Sequence, residues 1–488
     1  MRRSISALLF LLCLLSLPTV YAEDAEYVKL TVPFFCQEEI PADVDLVEAA
    51  LNDITRAKIG VEIDLVPLLQ VTVDGADTRR QAEMRLLETE GTVFDILLPG
   101  ISGSSIEGVP LDDLLEAYGQ DIIAAIGEDR LNSYRVDGVL YSLPSASDYV
   151  TAQGISMRKD ILDKYNIDVL QIQSTEDLRT VFETVHVNEP DLGVVCGNYT
   201  QDSVFYYQIK EDLISSSSVL GLDRDDPDTI NCYYASDAYR ELVKLTHAWY
   251  KAGFIYSGMA LQNMEAAALV KSGELFSYIT AWKPGIEWEA SNYSGREMVT
   301  VQLTEPLISN RSNSMARFAI SQSCAHPEKA MQYLNLLYSD ADAVNLLAYG
   351  VEGKHYVVQS DGTINYPQGV TAQNVGFSNS MAWSLPNQLV SHVWSGNDID
   401  LWQQLDDFNH TAAWSPAVGF NFDAAPVAQE HAAVVAVCKR YTGGLERGLL
   451  DPDIYLPKMI EEMEAAGLDR VIEEAQRQYD RWRSTKGE

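Results

Sequence analysis

What this chain lacks narrows it before any motif is read. Positive charge is scarce: 35 lysines and arginines stand against 71 aspartates and glutamates, a formal net charge of −36. So negative a surface repels phosphate backbones, and no nucleic-acid partner is expected. It also argues against highly anionic ligands, unless a local basic pocket overrides the global field. Histidine is sparse too. The seven (186, 247, 326, 355, 392, 410 and 431) form no His-Glu-x-x-His pair and no close cluster, so zinc hydrolysis has no ligand set. No Gly-x-Ser-x-Gly elbow occurs, since Gly100-Ile101-Ser102-Gly103 fails the spacing, and the Walker and dinucleotide glycine patterns are absent. Asp223 to Asp228 hints at a calcium loop, but Asp228 stands where glycine is needed and Tyr234 where glutamate is needed, so a solvated acidic turn is expected. The expectation is no metal and no cofactor. Past the N-terminus no apolar run reaches the length of a membrane-spanning helix.

The N-terminus itself reads as an export signal. Arg2 and Arg3 precede an apolar run from Ile5 to Leu17, and Val20-Tyr21-Ala22 suits signal peptidase cleavage before Glu23. Cys13 follows Leu12, where a lipobox requires a small residue, so the mature chain is expected to be soluble and unlipidated. Its five cysteines (36, 196, 232, 324 and 438) are odd in number and widely spaced, which is no disulfide scaffold.

Along the mature chain strand-like runs alternate with amphipathic helices, an α/β pattern. Strands are expected at 27–35, at 61–67 and, as a buried parallel strand, at 93–98; the loops after Phe35 and Leu98 are candidate site positions, because ligands of open α/β sheets sit beyond the carboxyl ends of strands. One helix is expected over 111–126, and helices over 157–165 and 176–187. Asp137-Gly138 makes a tight turn into a strand ending at Pro144. Leu242, Leu245, Trp249 and Ala252 share one helix face, which assigns Trp249 to the core. Leu275 to Thr280 reads as a strand running into Ala281-Trp282-Lys283-Pro284-Gly285, and Met315 to Ser321 as another. His326-Pro327 opens a helix, Asp361-Gly362 turns a hairpin, and three helices close the chain.

These segments resemble the family 1 extracellular solute-binding proteins of bacterial ABC importers, the group that includes maltose-binding protein. The resemblance is carried by Phe94-Asp95-Ile96-Leu97 with Val109 to Leu114, by Val136 to Pro144, by Gly273 to Trp282, and by Phe318-Ala319-Ile320-Ser321 with His326 to Ala330. Gly350-Val351-Glu352-Gly353-Lys354-His355-Tyr356, Gly419 to Asp423 and Ala466 to Asp469 resemble a subgroup with an extra C-terminal domain of unassigned function.

The resemblance implies a type II periplasmic-binding-protein-like α/β fold of two lobes, a hinge between them, and a helical C-terminal extension. Lobe 1 is expected from 23–142 and 312–345, lobe 2 from 143–311 and about 346–414, and the C-terminal region from 415–488. It implies a monomer that captures a small polar ligand, an oligosaccharide first, outside the cytoplasmic membrane and delivers it to importer permease subunits without chemistry. A secreted carbohydrate-active enzyme and a sensor component without transport are the alternatives. The expected ligand-binding residues are Trp282, at the family's cleft-aromatic position, with Tyr199, Tyr141, Gln37, Ser102 and Trp383. Core or hinge packing would equally account for Trp282 and Tyr141, and loop polarity for Gln37 and Ser102. Trp394 is weighed beside Trp383.

Overall fold

The computed structural model describes residues 27–36, 39–69, 86–98, 108–150, 152–199, 203–205, 211–214, 219–256, 264–310, 317–379 and 382–486. Two cores organise them. The first begins with the strands Val28–Cys36 and Val61–Leu69, paired parallel in register from Val28 opposite Val61 to Cys36 opposite Leu69, with the helix Val44–Ile59 crossing between them. The inner half of the first strand is buried on both faces, as parallel strands in α/β layers are. Next comes a short three-stranded sheet in which Arg317–Ile320 lies between Ile96–Leu97 and Leu143–Pro144. Asp95 stitches the two sheets together. Its carboxylate accepts from the Thr31 amide at 2.8 Å, its own amide donates to the Thr31 carbonyl at 2.9 Å, and its carbonyl accepts from the Ser321 amide at 2.9 Å. The helices Pro327–Ser339 and Ala341–Tyr349 cover this core.

The second core surrounds a four-stranded sheet in the order Met298–Gln302, Ala152–Arg158, Leu275–Trp282, Gly193–Cys196. Every residue of Ala152–Arg158 is buried, because both faces are covered. One face meets a large cluster that holds Phe182 and Trp249, and the other a smaller one with Leu269, Val270 and Met298. Trp249 is 1% exposed, with its ring centroid 5.0 Å from Phe182 and 4.9 Å from Phe205, so its core assignment stands. The C-terminal helices Ala428–Leu445, Pro452–Ala465 and Leu468–Lys486 join this same cluster through Val434, Met459, Met463 and Tyr479.

Three local expectations are corrected. The 157–165 helix begins only at Lys159: Met157 and Arg158 complete the buried strand, since their β partners Ser277 and Met298 hold them extended. The single helix over 111–126 is two, Asp112–Tyr118 and Gln120–Ile126. They break at Gly119, where the Leu115 side chain fills the space a Cβ would need. The 93–98 strand runs antiparallel to its ladder partner Arg317–Ile320, not parallel.

The packing divides the segment from 346 to 414. Phe377, Leu385, Trp383 and Leu389 join the first core, whereas Phe408 and Ala412 belong to a small cluster at the junction with Val150, Ile308 and Val418. The Gly350 to Tyr356 phrase is a staple. The His355 Nδ1 accepts from the Val351 amide at 2.8 Å, which leaves Nε2 to donate to Asp43 at 3.0 Å, and Lys354 reaches the same carboxylate at 2.9 Å. Gly350 has φ +83°, and a Cβ there would collide with the His355 ring. Among the described residues the five cysteines form no disulfide, and no helix is long and apolar enough to cross a membrane.

Candidate functional site

Three stretches of chain connect the cores: Leu143 to Ala152, the return from Ile308 to Arg317, and the passage from Val390 on the first core to Ala417 on the second. The first is held by neighbours. The Tyr338 hydroxyl donates to the Pro144 carbonyl at 2.6 Å, and the Asn409 side chain to the Ser147 carbonyl at 2.9 Å. The strand Leu275–Trp282 ends beside the first connection, where Trp282 lies opposite Ala152.

Its indole rests on Gly154: a Cβ there would sit 2.8 Å from the Trp282 Cβ and Cδ1. The ring meets Phe408 edge-on, 5.5 Å between centroids, and its Nε1 is buried without an acceptor. Trp282 itself is half-buried. Lys283 follows at once and forms ion pairs with Asp148 at 2.8 Å and Glu289 at 3.1 Å. Burial draws the Lys283 ammonium down, but those two carboxylates outweigh it and hold its pKa above the ordinary lysine value.

More groups of the second core gather near this strand end. Tyr199, 40% exposed in the loop after Gly193–Cys196, forms a backbone bridge to Glu265. Tyr293, 70% exposed, stands one turn beyond Glu289 on the helix Ile286–Ser294. Burial raises its pKa, Glu289 and Glu265 add to the rise, and Lys283 opposes it, which puts all three charged groups within electrostatic reach of its hydroxyl. Tyr278, buried beneath, is pushed up to about 12 by burial first, with Glu265 and Glu289 adding to the shift. The result is one face carrying exposed aromatic rings, the half-buried Trp282, and both signs of charge. Rings of this kind match the apolar C–H face of a pyranose, while carboxylates and an ammonium pair with its hydroxyls.

The expected residues therefore fall into groups. Trp282 and Tyr199 share this second-core face. Tyr141 lies on the first-core side, its carbonyl oxygen packed against Gly108. Trp383 packs on the first core within the short 3-10 turn Ala382–Ser384. Trp394 forms a ring cluster with Tyr349 and Tyr366. Gln37 and Ser102 lie outside the described residues. Sequence reasoning missed Tyr293, Glu265, Glu289, Lys283 and Asp148. The signal for Lys283 was its place directly after Trp282, and that for Tyr293 its i,i+4 spacing from Glu289; nothing local links Asp148 to either. Among the described residues no cluster of His, Cys, Asp and Glu could hold a metal ion.

Comparison with known proteins agrees with this architecture. Residues 416–484 match a domain of unknown function (DUF3502). A carbohydrate ABC transporter substrate-binding protein of Streptococcus pneumoniae serotype 4 (strain ATCC BAA-334 / TIGR4) is 24% identical over 460 residues, which cover 91% of this chain and 89% of the relative. The crystal structure of the N-glycan transport solute binding protein NgtS from Streptococcus pneumoniae superposes with a TM-score of 0.81 at 22% identity, over 94% of this chain and 100% of that one. The same protein in complex with Man5GlcNAc superposes at 0.69, also at 22% identity, over 94% and 99%. The chain has the two-lobed α/β fold of solute-binding proteins with a helical C-terminus.

Proposed function

We propose that this chain is the extracytoplasmic capture component of an ABC importer, that it holds an oligosaccharide between its lobes, and that it performs no chemistry on it. The observation that carries this reading is the second-lobe face of Trp282, Tyr199 and Tyr293 among Glu265, Glu289 and Lys283, in a fold shared with carbohydrate and N-glycan binding relatives.

In this reading Trp282 and Tyr199 stack on sugar rings from the second lobe. Tyr141, Gln37, Ser102 and Trp383 complete the site from the first-lobe side. Each hydrogen bond to a hydroxyl nets only about 0.5–1.5 kcal/mol, so affinity requires contacts from both lobes at once. A ligand that touches both favours the closed arrangement by its differential affinity for it. Export by cleavage after Ala22, an unlipidated mature chain, a monomeric state and delivery to permease subunits belong to the same proposal.

The test is calorimetry of the mature protein against mannose- and N-acetylglucosamine-containing oligosaccharides, with scattering on the same samples. Saturable binding accompanied by a smaller radius of gyration is expected. An oligosaccharide panel without a binder, or a radius of gyration unchanged by saturating ligand, overturns capture or closure respectively.

A further inference from the structure

We propose that the lobe junction contains a carboxylate-binding recess anchored on Arg130, beside the aromatic face of the second lobe. Arg130 sits on the short helix Glu128–Ser133 and is only 4% exposed, yet its Nε is buried without a hydrogen-bond partner among the described residues. Its flat face lies on the Tyr149 ring, with Cζ 3.6 Å from the centroid. Stacking satisfies the face of a guanidinium but not its in-plane N–H donors, of which the Nε donor is the one left buried and unmade. In a chain of 71 acidic residues this is a strong departure, because other arginines do find acceptors: Arg135 reaches Asp112 and Arg158 reaches Asp160.

Other orphan polar atoms lie close to the same place. The Tyr134 hydroxyl is buried without a partner, and so is the Nε of Arg317, whose guanidinium carbon lies 5.7 Å above the Tyr134 ring. Tyr149 and Trp282 both pack on the junction cluster of Phe408, and the Trp282 Nε1 and Asn409 Oδ1 are orphaned there too. Four orphans are donors or can donate, and one is an acceptor. The carboxylate within electrostatic reach of Tyr149 is Asp406, itself partly exposed and turned toward His410 at 3.6 Å. It forms no ion pair with Arg130. Leaving a buried donor unmade is costly, and more so on a charged group, so a cluster of orphan donors around a buried guanidinium Nε favours a ligand that brings acceptors to it. With one face covered by Tyr149, the guanidinium offers an in-plane edge. A planar, singly charged carboxylate fits that edge bidentately, whereas a dianionic phosphate would meet the repulsion of the whole chain.

The carboxylate can come from a free small acid or from a sugar acid within the transported ligand, and three probes separate these. The mature protein is titrated by calorimetry at constant ionic strength with sodium acetate, sodium D-glucuronate and D-glucose. Comparable binding of acetate and glucuronate assigns the recess to free carboxylates. Glucuronate at least tenfold tighter than both acetate and glucose assigns it to a sugar acid. No carboxylate binding above a sodium chloride control overturns the proposal. Arg130→Gln should weaken carboxylate binding at least tenfold, while the fold loses only the stacking on Tyr149. Arg130→Lys, which keeps the charge but not the fork, should weaken it several-fold and carries the test if the glutamine variant does not fold. Arg135→Gln, on the exposed pair with Asp112, should leave binding unchanged. Wild-type affinity in folded Arg130→Gln, or in Arg130→Lys where only that variant folds, overturns the proposal. Because acetate contains no sugar, these results are read independently of whether neutral oligosaccharides bind.

Discussion

Replacing Trp282 by alanine separates a ligand-facing ring from a structural one, and the structure sets the size of both effects. The indole is half-buried, edge-on to Phe408 at 5.5 Å, with Gly154 beneath it. Against a sugar, stacking contributes about 0.5–1.5 kcal/mol beyond area burial. Covering roughly 50 Å² of the exposed part of the ring adds about 1 kcal/mol at 25 cal/mol per Å². Together these make about 2 kcal/mol, so affinity should fall by about 30-fold. The folded state loses the edge contact with Phe408 and a shallow packing site, on the order of 2 kcal/mol and several degrees of melting temperature. Trp249→Ala provides the contrast. That ring is 1% exposed against Phe182 and Phe205, so its loss should cost about 3–5 kcal/mol of stability. Calorimetric titration with an established oligosaccharide ligand, together with scanning calorimetry of each variant, reads both quantities. If Trp282→Ala binds within twofold of wild type, Trp282 packs the junction and the aromatic face has been misread.

Three further outcomes are expected. Gly154→Ala places a Cβ 2.8 Å from Trp282 and from the Val301 carbonyl, so it should destabilise by about 1–3 kcal/mol and weaken sugar binding by displacing the indole; a variant that melts and binds like wild type refutes this. Burial lifts Asp212 to about 6 and Glu446 to about 7, from 3.8 and 4.5. The folded chain therefore holds these protons more tightly than the unfolded one. Their contribution is fully present below about pH 4 and is lost as pH rises through 6 and 7. Asp212→Asn and Glu446→Gln should each flatten the pH dependence of unfolding free energy across that window, by an amount on the order of 3 kcal/mol. Denaturant melts at several pH values measure the slope, and a wild-type slope in both variants removes the argument. N-terminal sequencing of the exported protein should find Glu23 first, and a lipid on Cys13 would contradict the processing proposed.

The fold was legible where local pattern and tertiary demand coincide. The stripe that placed Trp249 in the core works because a helix repeats its buried face every three to four residues. Asp137-Gly138 announced its hairpin because both residues carry positive φ, 49° and 82°. The pattern failed at Met157 and Arg158, where a run readable as either element was decided by strands more than a hundred residues away. It failed again at Gly119, where a side chain four residues back occupies the position a Cβ would need. Site residues follow the same division. Trp282 was legible as the end of a strand. The Asp148 carboxylate that fixes Lys283 and the Tyr149 ring beneath Arg130 arise only from tertiary packing, because each pair is remote or off-period in the chain.

The placement of those bonds also limits where the lobes can pivot. Pro144 is tied to the first core by the Tyr338 hydroxyl. Ala146 is tied twice, its amide donating to the Pro386 carbonyl at 2.8 Å and its carbonyl accepting from the Gln388 amide at 2.9 Å. Ala152 already stands in the second sheet, opposite Trp282. Bending in this connection therefore falls between Ala146 and Ala152, the stretch that carries Asp148 and Tyr149. Lys283 grips Asp148 from the second lobe, and Arg130 lies on Tyr149 from the first. A segment held by one cation from each lobe is coupled to both, so on the proposed readings a carboxylate at Arg130 and a sugar on Trp282 would act on the same few residues.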